Sequence, residues 1–382
     1  MPGRSWRVAR IAGIPIGVSP WWLAIVVLIT WTLGSSYFPD QVHGIAPLEA
    51  YGLGLASVLL LFASILAHEL GHALVARRHG IRVVEIDLWL LGGVARMEGE
   101  AHAPGDELRY ALAGPAVTAC VLVCFGALDL LLPASSSATL RSLIDYQVLI
   151  NALILGFNLM PAFPLDGGRV MRALLWRRWG DMRRATLVAA RMGRGFGYAL
   201  IGLGVLELLY GSAEGLWLSL IGVFIVAAAG AQAMNAEVLA IVSGVKASSL
   251  MASPVVVIPA ELSVAVATSD YFARYGYTAF PVVDALRGLL GLVTIDRVQA
   301  LAPGRRATTD VTEIVDGDPA LVASEDLDVA RLLERPAFAR VGRAVVVDGH
   351  GAAVGLLSIT DVQRALRSAQ LTAADAARRR AG

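Results

Sequence analysis

Charged side chains are scarce in this sequence. Only 16% of its 382 residues are Asp, Glu, Lys or Arg and 56% are hydrophobic, whereas soluble globular proteins carry about 25% charged residues. The deficit points to a membrane rather than to water. The formal net charge is +1, so there is no bulk field to draw in nucleic acid or an acidic partner. Cysteine is nearly absent. Cys120 and Cys124 are the only two, and they share one apolar run with nothing ligand-like beside them. That assigns them as small core residues rather than a redox or zinc pair.

The apolar residues are unevenly spread. Residues 1–242 hold long apolar runs, whereas 245–367 have the mixed composition of a soluble α/β segment, with short strands such as 280–283 and 344–348. A membrane-crossing helix needs about 20 apolar residues, and six runs qualify: 20–38, 51–76, 108–132, 143–160, 193–211 and 214–234. The basic head MPGRSWRVAR lacks a small-residue cleavage site after it and is expected to be retained. Arginine placement sets the orientation. Arg4, Arg7 and Arg10 precede the first run, Arg77, Arg78 and Arg82 follow the second, and Arg169, Arg172, Arg177, Arg178, Arg183 and Arg184 lie between the fourth and fifth. The loops that alternate with these hold Arg141 alone. The positive-inside rule therefore predicts a cytosolic N-terminus, and six crossings return the C-terminal segment to the cytosol of a multi-pass cell-membrane protein.

Residues 68–72 are HELGH. Histidines four apart share one helix face, so His68 and His72 can converge on one metal ion, and Glu69 between them can take a proton from water. The pentapeptide lies within an expected span, where ionisable groups are costly and are functional candidates by default. A catalytic zinc needs a third ligand. The best candidate is Asp166 in FNLMPAFPLDGGRV, where Pro161 and Pro164 break the helix and Gly167 and Gly168 free the backbone; Asp145 is a weaker competitor on the far side of the membrane. His43, His79, His102 and His350 fall in expected loops. The zinc is expected roughly 10–15 Å in from the cytosolic surface, from about 1.5 Å of helix rise per residue.

HELGH (68–72), LLGGVARM (90–97), AGPAVT (113–118) and FNLMPAFPLDGGR (157–169) together resemble the site-2 proteases, intramembrane zinc metalloproteases, in the branch that carries CBS domains and lacks a PDZ domain. The resemblance implies that His68, His72 and Asp166 bind zinc, that Glu69 is the general base, and that the Asn158 amide steadies the oxyanion. Where the family often has Asn at the end of the AGP motif this chain has Thr118, which is assigned to helix packing and given no catalytic role. The stretch Val83–Met97 alternates weakly and carries Gly92, Gly93 and Val94. It is expected to form short strands, and the resemblance places such a strand beside the active site, where its edge can pair with an extended substrate.

Two similar units follow, 246–304 and 308–368, containing FPVVDALRGLLGLVTIDRV and AVVVDGHGAAVGLLSITDVQRAL. They resemble tandem CBS domains, which often bind adenine nucleotides, and the possibility of a homodimer through them follows. Ser358 and Asp361 match the family's nucleotide spacing of three. In the first unit Thr294 is followed by Asp296 after two residues, with Arg297 in the third place. Residues 370–382 are rich in Ala and Arg and are expected to fray. The expected fold is thus an α-helical polytopic membrane domain of about six helices with a small β element (1–242), followed by an α/β CBS pair. The expected function is zinc endoproteolysis of single-span membrane proteins within the lipid bilayer. The rival is a CBS-gated transporter or channel, with the buried His and Asp lining an ion path.

Overall fold

The computed structural model describes residues 5–89, 92–98, 101 and 103–368; the start of the basic head, Leu90, Leu91, His102 and the tail 370–382 lie outside these. The chain divides into two compact units after Ala236.

The first unit opens with a β-hairpin where only a basic head was expected: β1 (Trp6–Ile11) and β2 (Ile14–Val18). Its turn is Ala12–Gly13, both at positive φ, which suits the strand twist of a tight hairpin. Ile14, Ile16 and Val18 alternate into the core, a period-2 signal that is short and follows directly on the arginines of β1. The long helices are α1 (Pro20–Thr32), running through a wide turn into the short α2 (Phe38–Gln41); α3 (Pro47–Arg78); α4 (Pro104–Leu131); α5 (Ala138–Asn158); α6 (Asp166–Trp179); α7 (Met182–Leu209); and α8 (Glu214–Val242). Among the described residues six stretches are long and apolar enough to cross a membrane: Pro20–Gln41, Pro47–Arg78, Pro104–Leu131, Ala138–Asn158, Met182–Leu209 and Glu214–Val242. The number matches the expectation, but α8 continues beyond residue 234 to Val242, shortening the anticipated linker. The 14-residue α6 is too short to cross.

Between α3 and α4 the chain forms β3 (Arg82–Trp89) and β4 (Gly92–Glu98), an antiparallel pair. Strand β2 pairs in parallel with β3, completing a sheet in the order β1-β2-β3-β4. Ile14, Ile16 and Ile86 from the sheet bury themselves with Ala73 of α3, so the sheet is fixed to the helix that carries HELGH. Cys120 and Cys124 are exposed on α4 rather than in the core. In a bilayer the outer face of a helix is as apolar as its inner face, so an apolar run does not report which way a residue points.

The second unit holds two repeats. After α9 (Ala247–Leu250), β5 (Ile258–Pro259) and α10 (Val264–Ala267) lead to β6 (Ala279–Asp284), β7 (Gly288–Thr294) and α11 (Ile295–Ala300). Then β8 (Val322–Ser324), α12 (Val329–Leu333), α13 (Pro336–Val341), β9 (Arg343–Val347) and β10 (Ala353–Ser358) repeat the order, and a helix covers 359–368. In each repeat the first strand is parallel to the second and the second antiparallel to the third. Asp284 and Asp348 occupy equivalent turns. Backbone N–H groups of Arg287 and Leu286 hold the first carboxyl below its usual range, and those of Ala352 and His350 do the same for the second. The repeats meet through Ala279, Leu292 and Val345.

Candidate metal centre

Helix α3 places His68 and His72 one turn apart, both buried. Asp166, the first residue of α6, brings its Oδ2 to 3.0 Å from His68 Nε2 and 3.2 Å from His72 Nε2. The two Nε2 atoms are 3.0 Å apart. Asp145 takes no part in this cluster.

Three converging groups also describe a plain hydrogen-bonded triad, so the outer ring atoms matter. His72 Nδ1 lies 2.6 Å from the Tyr110 carbonyl oxygen. A carbonyl only accepts, so Nδ1 carries the proton and Nε2 presents its lone pair to the centre. His68 Nδ1 lies 2.8 Å from Thr118 Oγ1, which can accept in the same way and leave His68 Nε2 free. Groups on α4 thereby hold His72 in the metal-binding tautomer and allow His68 the same one. A tetrahedral zinc about 2.0–2.1 Å from each donor sets them roughly 3.3 Å apart, close to the separations found. Gly114 lies against the same rings, and a Cβ there would come within 2.2 Å of His72 Nε2. Two imidazoles, one carboxylate and a glycine that leaves them room fit a zinc ion.

Helix α4 holds the site from a second direction. Glu107, Tyr110, Gly114 and Thr118 follow one another at three or four residues and share a face. Glu107 is fully buried and accepts from Arg172 Nε at 2.5 Å, with a second contact from the same guanidinium. The pair ties α4 to α6, the helix that begins with Asp166. Breaking such a buried pair costs about 3–5 kcal/mol. The first turn of α6 needs glycine where the preceding chain folds back on it: a Cβ on Gly167 would lie 2.4 Å from the carbonyl oxygens of Leu159 and Met160.

Glu69 is half-buried beside the cluster. Gly93 of β4 packs on it, and a Cβ at Gly93 would lie 2.5 Å from Glu69 Cγ. Gly92 has φ 134° and Val94 is 43% exposed. Strand β4 pairs with β3 on one side only, so among the described residues its outer edge is open. Asn158 ends α5, half-buried and without a side-chain hydrogen bond among the described residues. Thr118 departs from its assignment to packing: its hydroxyl touches a ring of the cluster. The sequence signal was present, since AGPAVT sets it one helical turn beyond Gly114, but only the α3–α4 crossing shows what it meets. His43 and His350 lie in turns, and His79 pairs with Asp106 at 3.0 Å.

In the second unit Ser358 and Asp361 bond each other at the start of a helix. Ser358 Oγ donates to Asp361 Oδ2 at 2.5 Å, and the Asp361 N–H donates to Ser358 Oγ at 3.3 Å, a reciprocal cap. Thr294 is buried and Asp296 exposed. Arg297 is engaged with the Ile314 and Val315 carbonyls and with Asp316.

The family model described as peptidase family M50 matches residues 56–134 and 131–200, and that of the CBS domain matches 247–301. The chain is similar to a protein of Mycobacterium tuberculosis named as the zinc metalloprotease Rip3, at 38% identity over 94% of this chain and 91% of the relative. It is also similar to a named zinc metalloprotease of Synechocystis, at 34% identity over 95% of each. Among solved structures it is similar to a site-2 protease from Methanocaldococcus jannaschii, at 27% identity over 60% of this chain and 95% of that one, with a TM-score of 0.41.

Proposed function

This chain belongs to peptidase family M50, the zinc metalloproteases of site-2 type, with a CBS domain toward its C-terminal end, and from that premise we propose that it cleaves transmembrane segments of single-span membrane proteins at the His68–His72–Asp166 centre. Its six long apolar helices make it a multi-pass membrane protein. The observation that carries the reading is the pair of histidines held with both Nε2 atoms turned onto one aspartate oxygen. Zinc held by His68, His72 and Asp166 would supply Lewis acidity to the scissile carbonyl and the attacking water. Glu69 accepts the proton of that water and returns it to the leaving nitrogen. Asn158 donates its amide to the carbonyl oxygen as charge builds there.

Substrate geometry follows from the same site. A peptide bond inside a helix has its carbonyl engaged and is poorly placed for attack. An extended segment can pair with the open edge of β4 along Gly92, Gly93 and Val94, of which Gly93 packs on Glu69. The N-terminus and the second unit face the cytosol in this reading, on the arginine-rich side.

The decisive test is Glu69→Gln. Zinc content should stay at one per chain, because Glu69 is not a ligand, while cleavage of a reconstituted single-span substrate falls roughly 10²–10⁴-fold. Substantial cleavage by the variant would remove Glu69 from the mechanism. The ion-path alternative differs in its prediction, since it requires no stoichiometric zinc.

The CBS region is proposed to bind an adenine nucleotide through Ser358 and Asp361 and so to modulate cleavage. Their mutual cap must open or share its oxygens for this to happen, and the first repeat offers Arg297 already committed to Asp316. ATP and AMP titrated onto the full chain should change the cleavage rate by roughly 5–150-fold, the range of an ordinary coupling energy. Absence of binding at millimolar nucleotide would leave the region as a docking or dimerisation module.

A further inference from the structure

Positive charge is concentrated at the junction of α6 and α7, and neither the metal centre nor the sheet uses it. Arg177 and Arg178 fill the last turn of α6, and Arg183 and Arg184 the first turn of α7. Arg191 and Arg194 follow within three turns. All six are exposed, and none makes an ion pair among the described residues. The one acidic residue at the junction, Asp181, spends a carboxylate oxygen on the Arg184 backbone N–H.

The α7 arginines lie on one side. At 100° per residue, Arg183, Arg184, Arg191 and Arg194 fall within about 100° of arc. Ala185, Ala189, Gly193 and Gly197, all buried, lie on the opposite side. The helix is packed along one face and cationic along the other.

Length fixes the depth of that face. Helix α7 has 28 residues, about 42 Å, against about 30 Å of hydrocarbon. The surplus, about 12 Å or two turns, must lie outside the apolar layer, and Arg183 and Arg184 locate it at the start of the helix, with Arg191 and Arg194 about two to three turns further along and able to reach back to the boundary. Apolar side chains are exposed beside the cations: Leu174 by 46%, Trp179 by 37% and Met192 by 38%. The Arg184 guanidinium sits 4.7 Å from the Trp179 ring. Guanidinium groups beside exposed apolar and indole surface match a boundary with acyl chains on one side and phosphate on the other.

We infer that the α6–α7 junction is a binding surface for the phosphate headgroups of anionic phospholipids. Its six arginines act as a cluster, consistent with polybasic segments adjoining a span. Guanidinium forks bind phosphate oxygens bidentately, which a purely topogenic charge does not require.

The test uses the full chain in phosphatidylcholine bilayers containing brominated phosphatidylglycerol or, in parallel, an equal fraction of brominated phosphatidylcholine. The quenching lost on Trp179→Phe isolates the signal from the junction. Brominated phosphatidylglycerol should be preferred severalfold at low salt, and the preference should fade as ionic strength rises. The variant R177Q/R178Q/R183Q/R184Q should lose that preference. If that variant does not insert, R191Q/R194Q and the salt series on the natural sequence decide. No preference in the natural sequence, or a preference indifferent to both salt and substitution, overturns the inference and leaves the arginines to orient the chain alone.

Discussion

His68 and His72 can serve as ligands only if each ring presents the lone pair of Nε2, and atoms outside the HELGH pentapeptide decide this. Tyr110 does so with a backbone carbonyl, which no side-chain substitution removes. Thr118 does so with a hydroxyl, which one can. Thr118→Val keeps the shape and deletes the acceptor, so zinc affinity measured by chelator competition should fall about 10–100-fold, the usual cost of losing such a partner. Thr118→Ser retains the oxygen and should stay near the natural value. Equal losses in both variants would mean that the position acts through packing alone.

At the scale of elements, strand β4 and helix α3 meet where Gly93 covers Glu69. The strand has room for a glycine and nothing larger there unless one of the two elements shifts. Gly93→Ala should therefore displace Glu69 or move the strand outward. Cleavage should drop at least tenfold while zinc content stays full, because the ligands lie on α3 and α6. Unchanged cleavage would show that Glu69 tolerates displacement and would weaken its role as base. The same element-level reasoning applies to α6. It carries Asp166 at its first residue, is tied to Glu107 of α4 by Arg172 in its second turn, and has Arg177 and Arg178 in its last turn, so the placement of this candidate ligand depends on a helix too short to cross a bilayer.

For the whole molecule, six crossings would bring the N-terminus and the CBS region to the same side of the membrane. A reporter fused after residue 245 should be cytosolic. An external readout would mean that one of the pair α7 and α8 does not cross, since of the successive membrane-length helices these join through the shortest loop, 210–213. The second unit starts with little slack: α8 runs to Val242, which is buried with Ala247, Leu332, Phe338 and Leu357.

Much of this protein was legible in the sequence because the relevant signals are local. Six apolar runs approach or exceed the length that crosses a membrane, HELGH sets two candidate ligands at one helical turn, and LDGG marks a broken backbone with a carboxylate; each depends on neighbours a few residues away. The N-terminal hairpin was equally local, in the alternation of Ile14, Ile16 and Val18, but its arginines suggested only orientation. What the sequence left open depends on contacts across long separations. Asp166 is 98 residues from His68 and Thr118 is 50, and no periodicity reaches that far. The sidedness of α4 was open for a different reason. Cys120 and Cys124 have apolar neighbours whether they face protein or lipid, so only the crossing of α3, α4 and α6 determined that Thr118 and Gly114 face the metal centre while the cysteines face outward.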